Sequence, residues 1–118
     1  MKVIIAGGRE YGNYPELKAY CDTVLEDIHV DCILSGTARG ADSLGEQYAT
    51  ERGHPLERYP ADWNTLGKDA GKIRNRDMAE NADMLIAFWD GESGGTGNMI
   101  SIARRLGLKV FVKIYDAE

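Results

Sequence analysis

Apolar residues occur in runs of strand length at three points along the chain. Residues 3–6 and 84–89 are unbroken apolar runs, and residues 32–34 form a shorter one. Such a run is typical of a strand that is covered on both faces. The pattern predicts three buried strands, and the two longest runs predict the centre of a sheet.

Two further runs have the pattern of edge strands. Residues 56–59 alternate between apolar and charged side chains, which is typical of a strand with one face in water. Residues 110–112 are apolar, but Lys113 follows them directly. We therefore predict five strands, of which the third and the fifth lie at the sheet edges.

Helical periodicity separates these strands. The clearest apolar helix face is formed by Leu17, Tyr20, Cys21, Val24, Leu25 and Ile28. A second helix is predicted from Ala41, Leu44, Tyr48 and Ala49, and Gly53 ends it. A third helix is predicted over residues 73–82, and a last one buries Met99, Ala103 and Leu106 before Gly107. Residues 60–71 show no period and predict a long irregular connection, a kind of segment that often carries function.

Strands that alternate with helices imply a parallel sheet with right-handed crossovers and helices on both faces. We predict one Rossmann-like three-layer α/β domain over residues 1–118, with a five-stranded parallel sheet of order 3-2-1-4-5. The strand order reverses between strands 1 and 4, and a ligand crevice is expected there at the carboxyl ends of the strands.

Composition narrows the possible functions. The 118 residues are 43% hydrophobic and carry a formal net charge of −5, which argues against non-specific nucleic-acid binding. No apolar run approaches the roughly 20 residues of a membrane helix, and residues 1–8 pass directly into the fold, so we expect a cytoplasmic protein. Two Cys and two His give no metal-site spacing. Cys21 and Cys32 fit reduced core thiols, and we expect no catalytic role for His29 or His54.

A glycine-rich stretch follows the fourth strand. Gly91, Gly94, Gly95 and Gly97, with Ser93 and Thr96 among them, precede an amphipathic segment. Backbone N–H groups at a helix start and the positive end of the helix dipole suit a phosphate or another anion. The alternative is that these glycines only make a tight turn.

Two more small-residue loops are expected at the same rim. Gly7, Gly8 and Arg9 follow the first strand. Ser35–Gly–Thr–Ala–Arg–Gly–Ala–Asp42 follows the second: its glycines would let the backbone approach a ligand, Arg39 would bind phosphate or carboxylate, and Asp42 would cap a helix or accept from ribose hydroxyls. The alternative is a helix cap with Arg39 in a surface ion pair.

Other polar residues are candidates from their positions. Arg74 and Asn75 could fix a phosphate and a base or sugar edge, or could belong to a solvated helix face, to which we assign Lys72 and Arg76. Trp63 could stack on a base or fill the core. The predicted ligand-binding residues are Gly7, Gly8, Arg9, Ser35, Gly36, Ala38, Arg39, Gly40, Asp42, Asp62, Trp63, Arg74, Asn75, Asp90, Ser93, Gly94, Gly95, Thr96 and Gly97.

Two common nucleotide motifs are missing. No glycine loop ends in Gly–Lys–Ser/Thr, and the glycine spacing after the first strand does not fit the dinucleotide fingerprint. A conventional kinase, NTPase or dehydrogenase is therefore not expected, and no cofactor is predicted.

The same motifs carry a family resemblance. Gly7–Gly–Arg9, Ser35 to Asp42, Pro60–Ala–Asp–Trp63, Gly71 to Asn75 with Met78, Ala82–Asp83 and Phe88 to Thr96 together resemble the DUF2493 family. This is the YspA/YpsA-related branch of the SLOG superfamily of bacteria and phages. The resemblance implies a Rossmann-like fold that binds nucleotides or nucleotide-derived ligands. Relatives include the LOG phosphoribohydrolases, which cleave N-glycosidic bonds of nucleoside monophosphates, and DprA, which binds single-stranded DNA.

One departure affects the expected activity. The LOG glycine loop continues to a catalytic glutamate, and Met99 occupies that place here. Asp42, Asp62 or Asp90 could substitute, so the catalytic residues remain unassigned.

We expect binding of a nucleotide-derived small molecule by a sensor or sequestering protein. The alternatives are an N-glycosidic-bond hydrolase and, more weakly, DprA-like DNA binding. The first helix, with its tyrosines, could mediate a homodimer.

Overall fold

The predicted sheet is confirmed. A computed structural model describes residues 1–116, in which five parallel strands have the order β3-β2-β1-β4-β5. The strands are β1 (Lys2–Gly7), β2 (Cys32–Ser35), β3 (Leu56–Arg58), β4 (Met84–Trp89) and β5 (Lys109–Ile114). The helices are α1 (Tyr14–Val24), α2 (Ala41–Arg52), α3 (Trp63–Leu66), α4 (Ala70–Glu80) and α5 (Gly94–Arg105). The fold is therefore Rossmann-like.

Helices cover both faces of the sheet. Val3 and Ile5 of β1 face α1 and α2, where Leu17 and Tyr48 complete one core cluster. Alternate residues of the same strand face α4 and α5 and form a second cluster with Met78 and Met99. Side chains of β1 and β4 are buried on both sides, which explains their continuous apolar sequence.

Both cysteines are buried thiols, as expected. Cys21 belongs to the cluster beneath α1, and Cys32 belongs to the cluster on the opposite face. Burial, the largest cause of the shift, raises the pKa of Cys21 to about 12 and the pKa of Cys32 to about 11. Thiols of this kind are unreactive and serve as small apolar groups.

Two expectations about helix faces are wrong. The first helix ends at Val24, with Leu25 as its C-cap, whose N–H donates to the Cys21 carbonyl. Ile28 was predicted on the helix face but lies in the turn that follows, where its N–H donates to the Leu25 carbonyl. Leu106 is 41% exposed, because it caps α5 at the point where the chain turns toward β5. The tyrosines of α1, Tyr14 and Tyr20, pack half-buried against the core.

The segment 60–71 is more ordered than predicted. Asp62 caps the short helix α3 by accepting from the Thr65 N–H at 3.2 Å. A 3-10 turn over Gly67–Asp69 follows, and α4 begins at Ala70, three residues earlier than predicted. Among residues 1–116, none of the helices combines the length and apolar character needed to cross a membrane.

Candidate ligand cleft

Two rim loops cross in direct contact. Gly40 has a φ of 79°, and a Cβ there would lie 2.6 Å from the carbonyl carbon of Arg9. The Gly8 carbonyl accepts from the Ala41 N–H at 3.1 Å and from the Tyr11 N–H at 3.2 Å. The glycine at position 40 thus allows the loop after β1 and the start of α2 to pack backbone to backbone.

A cleft of about 240 Å³, which we call the rim cleft, lies between this crossing and the starts of α4 and α5. Among the predicted ligand-binding residues it is lined by Arg9, Ala38, Asp42, Trp63, Arg74, Asn75, Gly94, Gly95 and Thr96. An outer groove of about 360 Å³ adjoins it past Trp63 and Arg74. The structure therefore gathers at one place residues from five separate segments of the chain.

The glycine-rich stretch begins a helix rather than forming a loop. Gly94, Gly95 and Thr96 are the first three residues of α5, and Ser93, in the N-cap position, makes no side-chain cap hydrogen bond. A Cβ on Gly94 or Gly95 would meet nothing within 4 Å, so packing does not require glycine there. Because glycine weakens a helix, these two positions need another explanation.

Thr96 adds a hydroxyl to this helix start. Its side chain is 6% exposed, and it lines the rim cleft. Within residues 1–116 no hydrogen bond from this hydroxyl is found, and its oxygen is not fully enclosed by protein atoms. Thr96 is therefore available to donate to a bound molecule.

Arg74 is the half-buried cation of the rim cleft. Its guanidinium donates to the Gly36 carbonyl and to Asn75 Oδ1, the latter at 3.0 Å. A Cβ on Gly36 would lie 2.6 Å from Arg74 Nη1 and 2.8 Å from Asp42 Oδ2. Glycine at position 36 therefore leaves room for both the guanidinium and the carboxylate under the β2 loop. Burial, the largest cause, lowers the pKa of Arg74.

Asp42 is a buried carboxylate at the start of α2. It is 5% exposed, and Oδ2 accepts from the Ala38 N–H at 3.1 Å. Burial, the largest cause, raises its pKa from 3.8 to about 6. The hydrogen bond from Ala38 and the positive charge of Arg74 act in the opposite direction and lower the pKa. A carboxyl group with such a pKa beside a cleft can hold or release a proton near neutral pH.

The pKa of Asp42 predicts a pH-dependent stability. Between pH 3.8 and about 6 the folded protein holds a proton that the unfolded chain releases, so this group lowers folding stability as pH rises through that window. Asp42→Asn should be more stable than the parent by about 1–3 kcal/mol near pH 7 and by almost nothing near pH 4. Urea unfolding of both proteins at several pH values measures the difference, and a difference that stays constant with pH would contradict the assignment.

Asn75 holds the two sides of the rim cleft together. Its amide nitrogen donates to the Gly95 carbonyl at 3.3 Å and to Asn98 Oδ1 at 3.0 Å, and its oxygen accepts from Arg74. The side chain is 6% exposed, and all its principal hydrogen-bonding groups are used. Asn75 thus fixes the start of α5 relative to Arg74.

Trp63 forms the aromatic part of the rim-cleft wall. The side chain is 48% exposed, so it does not fill the core. Its ring packs on Gly71, where an added Cβ would lie 3.2 Å from the ring edge, and it lines both the rim cleft and the outer groove. An exposed indole at this position offers a flat face to a ring system.

Several predicted residues lie elsewhere. Arg39 lines the outer groove and forms an exposed ion pair with Glu10 at 2.6 Å. Ser35 is buried and donates to Glu46 at 2.7 Å. Asp62 caps α3, and Asp90 accepts from the N–H groups of Glu92 and Ser93, which lowers its pKa.

The remaining predicted glycines allow close packing. An added Cβ at Gly7 would meet Phe88 and Ala41, and one at Gly8 would meet Tyr115. At Gly97 it would lie 3.2 Å from Trp89, whose indole N–H donates to the Ser93 carbonyl at 3.0 Å. These glycines set the shape of the rim.

Two lysines that were not among the predicted ligand-binding residues, Lys68 and Lys72, line the rim cleft. Both are exposed, in agreement with the assignment of Lys72 to the solvated surface. Lys68 lies in the 3-10 turn and Lys72 in α4, so their shared position depends on how these two elements join. Across residues 1–116 no group of three or more His, Cys, Asp or Glu side chains is arranged to hold a metal ion.

Comparisons with known proteins agree with the sequence resemblance. A family model described as the YspA, cpYpsA-related SLOG family matches residues 1–65, which include β1, β2 and the loops that follow them. The gene 61 protein of Mycobacterium phage D29 is 30% identical over 119 residues, covering 92% of this chain and 93% of its own length. This chain therefore belongs to the YspA and cpYpsA-related SLOG family.

Proposed function

We propose that this protein binds the phosphate of a nucleotide or nucleotide-derived small molecule in the rim cleft, and that it acts as a sensor or a sequestering protein. One observation carries the proposal: the start of α5, with no side-chain cap at Ser93, shares a cleft with the half-buried guanidinium of Arg74. Backbone N–H groups and an arginine fork together match phosphate oxygens.

Each side of the rim cleft then has a role. The N–H groups of Gly94 and Gly95 and the Thr96 hydroxyl donate to phosphate oxygens, and Arg74 supplies the opposing charge. Arg9 and Lys72 add exposed positive charge at the mouth of the cleft.

The other walls suit the rest of a nucleotide. Asp42 accepts from a ribose hydroxyl, and Trp63 stacks on the base. A cation, a carboxylate and an aromatic plane around one cleft favour a nucleotide over a simple inorganic anion.

Gly95→Ala separates folding from binding. The added methyl group meets no protein atom and improves helix propensity, so stability should rise by up to about 1 kcal/mol. The same methyl group stands where the phosphate approaches, so affinity should fall by about tenfold or more. Urea unfolding and calorimetric titration with a panel of nucleoside phosphates measure the two effects.

Ser101→Ala is the matched control. Ser101 is exposed farther along α5 and does not line the rim cleft, so this change should also favour the helix while leaving affinity unaltered. Equal affinities for Gly95→Ala, Ser101→Ala and the parent protein would contradict phosphate binding at the α5 start.

A second candidate function is hydrolysis of an N-glycosidic bond. Asp42 favours it, because a buried carboxyl with a pKa of about 6 can protonate a departing base as a general acid. Met99, in place of the LOG glutamate, is 1% exposed and lines the same cleft without a group that can transfer protons.

Release of free base from nucleoside monophosphates tests hydrolysis. Turnover that Asp42→Asn abolishes would establish the enzyme. Asp62→Asn is the control, because asparagine caps a helix as well as aspartate does. Binding without base release leaves the sensor or sequestering role.

A further inference from the structure

A second, open cavity also borders the α5 start. It has a volume of about 830 Å³ and is lined by the loop after β1, the turn after β4 and the end of β5. Arg9, Gly95 and Thr96 line both this cavity and the rim cleft. The outer groove, in contrast, has no residue of α5 in its wall.

From this arrangement we propose that the ligand has two nucleoside-like arms joined through a phosphate or diphosphate, with one arm in the rim cleft and the other in the second cavity. The inference rests on the proposed phosphate site at α5. It goes further by naming the class of ligand as dinucleotide-like rather than mononucleotide.

The proposed anion-binding groups border both cavities. Gly95 and Thr96 of the α5 first turn lie in the wall of the rim cleft and also in the wall of the second cavity. A phosphate held there has space on both sides. A mononucleotide would fill one side and leave the larger cavity empty.

The second cavity is lined by more carboxylates than cations. The carboxylates are those of Glu10, Glu16, Asp90 and Asp116, and the cations are those of Arg9 and Lys113. Glu16 accepts from the Tyr11 hydroxyl at 2.8 Å and Asp90 accepts from two backbone N–H groups, each through one carboxylate oxygen. This environment repels a terminal phosphate. It suits an uncharged arm whose hydroxyl or amino groups donate to the carboxylates.

The second cavity also has apolar surface. Ile114 is 56% exposed and lines it. Tyr11 and Tyr115 also belong to its lining, with their ring centroids 4.7 Å apart. An exposed aliphatic side chain and an aromatic pair in one lining give a base or sugar a surface to cover.

Two matched ligands test the inference. ADP and diadenosine 5′,5′-diphosphate share the diphosphate and one adenosine, but only the second compound carries another nucleoside. We expect the dinucleotide to bind about tenfold tighter or more in calorimetric titration. Guanine counterparts of both compounds are titrated in parallel to cover base preference.

Variants in the two cavities test which cavity binds each nucleoside-like arm of the ligand. Ile114→Asn should remove most of the advantage of the dinucleotide while leaving ADP affinity within about twofold. Trp63→Ala should weaken both ligands, because both place a base in the rim cleft. Leu106→Asn is the control, since Leu106 is also an exposed apolar residue but lies at the far end of α5.

The outcomes separate this inference from the proposed function. ADP that binds as tightly as the dinucleotide, or a dinucleotide advantage that survives Ile114→Asn, would overturn the two-armed ligand and leave the phosphate site intact. If neither the mononucleotides nor the dinucleotides bind at millimolar concentration, the proposed function fails and the inference fails with it.

Discussion

Replacing Arg74 with methionine should weaken nucleoside-phosphate binding by about 1.5–3 kcal/mol, or roughly 10- to 150-fold. Methionine keeps much of the aliphatic stem but removes the half-buried guanidinium of a residue that lines the rim cleft together with the α5 start. A charge-assisted hydrogen bond in a half-buried position is strong, because little water competes for it. Calorimetric titration with the best ligand of the panel gives the affinities.

The control is Arg76→Met on the same helix. Arg76 is exposed and pairs with Glu80 at 3.6 Å one turn further on, so its loss should leave affinity unchanged. Thermal unfolding of both variants verifies that they are folded, since Arg74→Met also removes the cation beside Asp42. An equal loss of affinity in the two variants would show that net charge, and not Arg74, governs binding.

Gly40→Ala should be among the most destabilising single-methyl changes in the chain. Its φ of 79° with a ψ of −131° lies in a region that residues with a Cβ rarely adopt, which costs about 1–3 kcal/mol. The methyl group would also press on the backbone of Gly8 and Arg9, which has no flexible side chain to move aside, and overpacking of this kind costs about 1–3 kcal/mol more. Urea unfolding measures the sum.

Gly53→Ala at the other end of α2 is a comparison without the clash, at a glycine whose ψ of 25° lies in the left-handed helical region rather than near the −131° of Gly40. Gly53 has a φ of 71°, but a Cβ there would meet no atom within 4 Å. This variant should therefore show only the conformational cost of about 1 kcal/mol. Identical losses of stability for the two variants would mean that the rim loops yield and do not depend on close contact at Gly40.

The sheet could be predicted because its strands are short, apolar and separated by helical patterns. Burial on both faces requires continuous apolar residues in β1 and β4, and this requirement placed both strands at the centre. Leu106 and Ile28 were misassigned because periodicity continues beyond the point where a cap ends a helix.

The rim loops could also be predicted to converge, but side-chain directions could not. Arg39 and Arg74 are equivalent cations in the sequence, yet Arg39 pairs with Glu10 in water and Arg74 extends under the β2 loop. The deciding contact is the space left by Gly36, which lies far from Arg74 along the chain. Contacts of this kind depend on tertiary packing.

The glycines of α5 show what the structure adds to the pattern. From sequence they predicted either a tight turn or an anion site. The structure places Gly94 and Gly95 in a helix where no protein atom needs them to lack a side chain. A helix start left open in this way beside Arg74 and Thr96 is the physical basis of the proposed function.

The most direct test is native mass spectrometry of the parent protein and Arg74→Met, each analysed as purified and after addition of the nucleotide panel. We expect a phosphorylated, nucleoside-containing adduct on the parent protein that is lost or strongly reduced in the variant. Matching spectra for the two proteins under both conditions would contradict phosphate binding in the rim cleft.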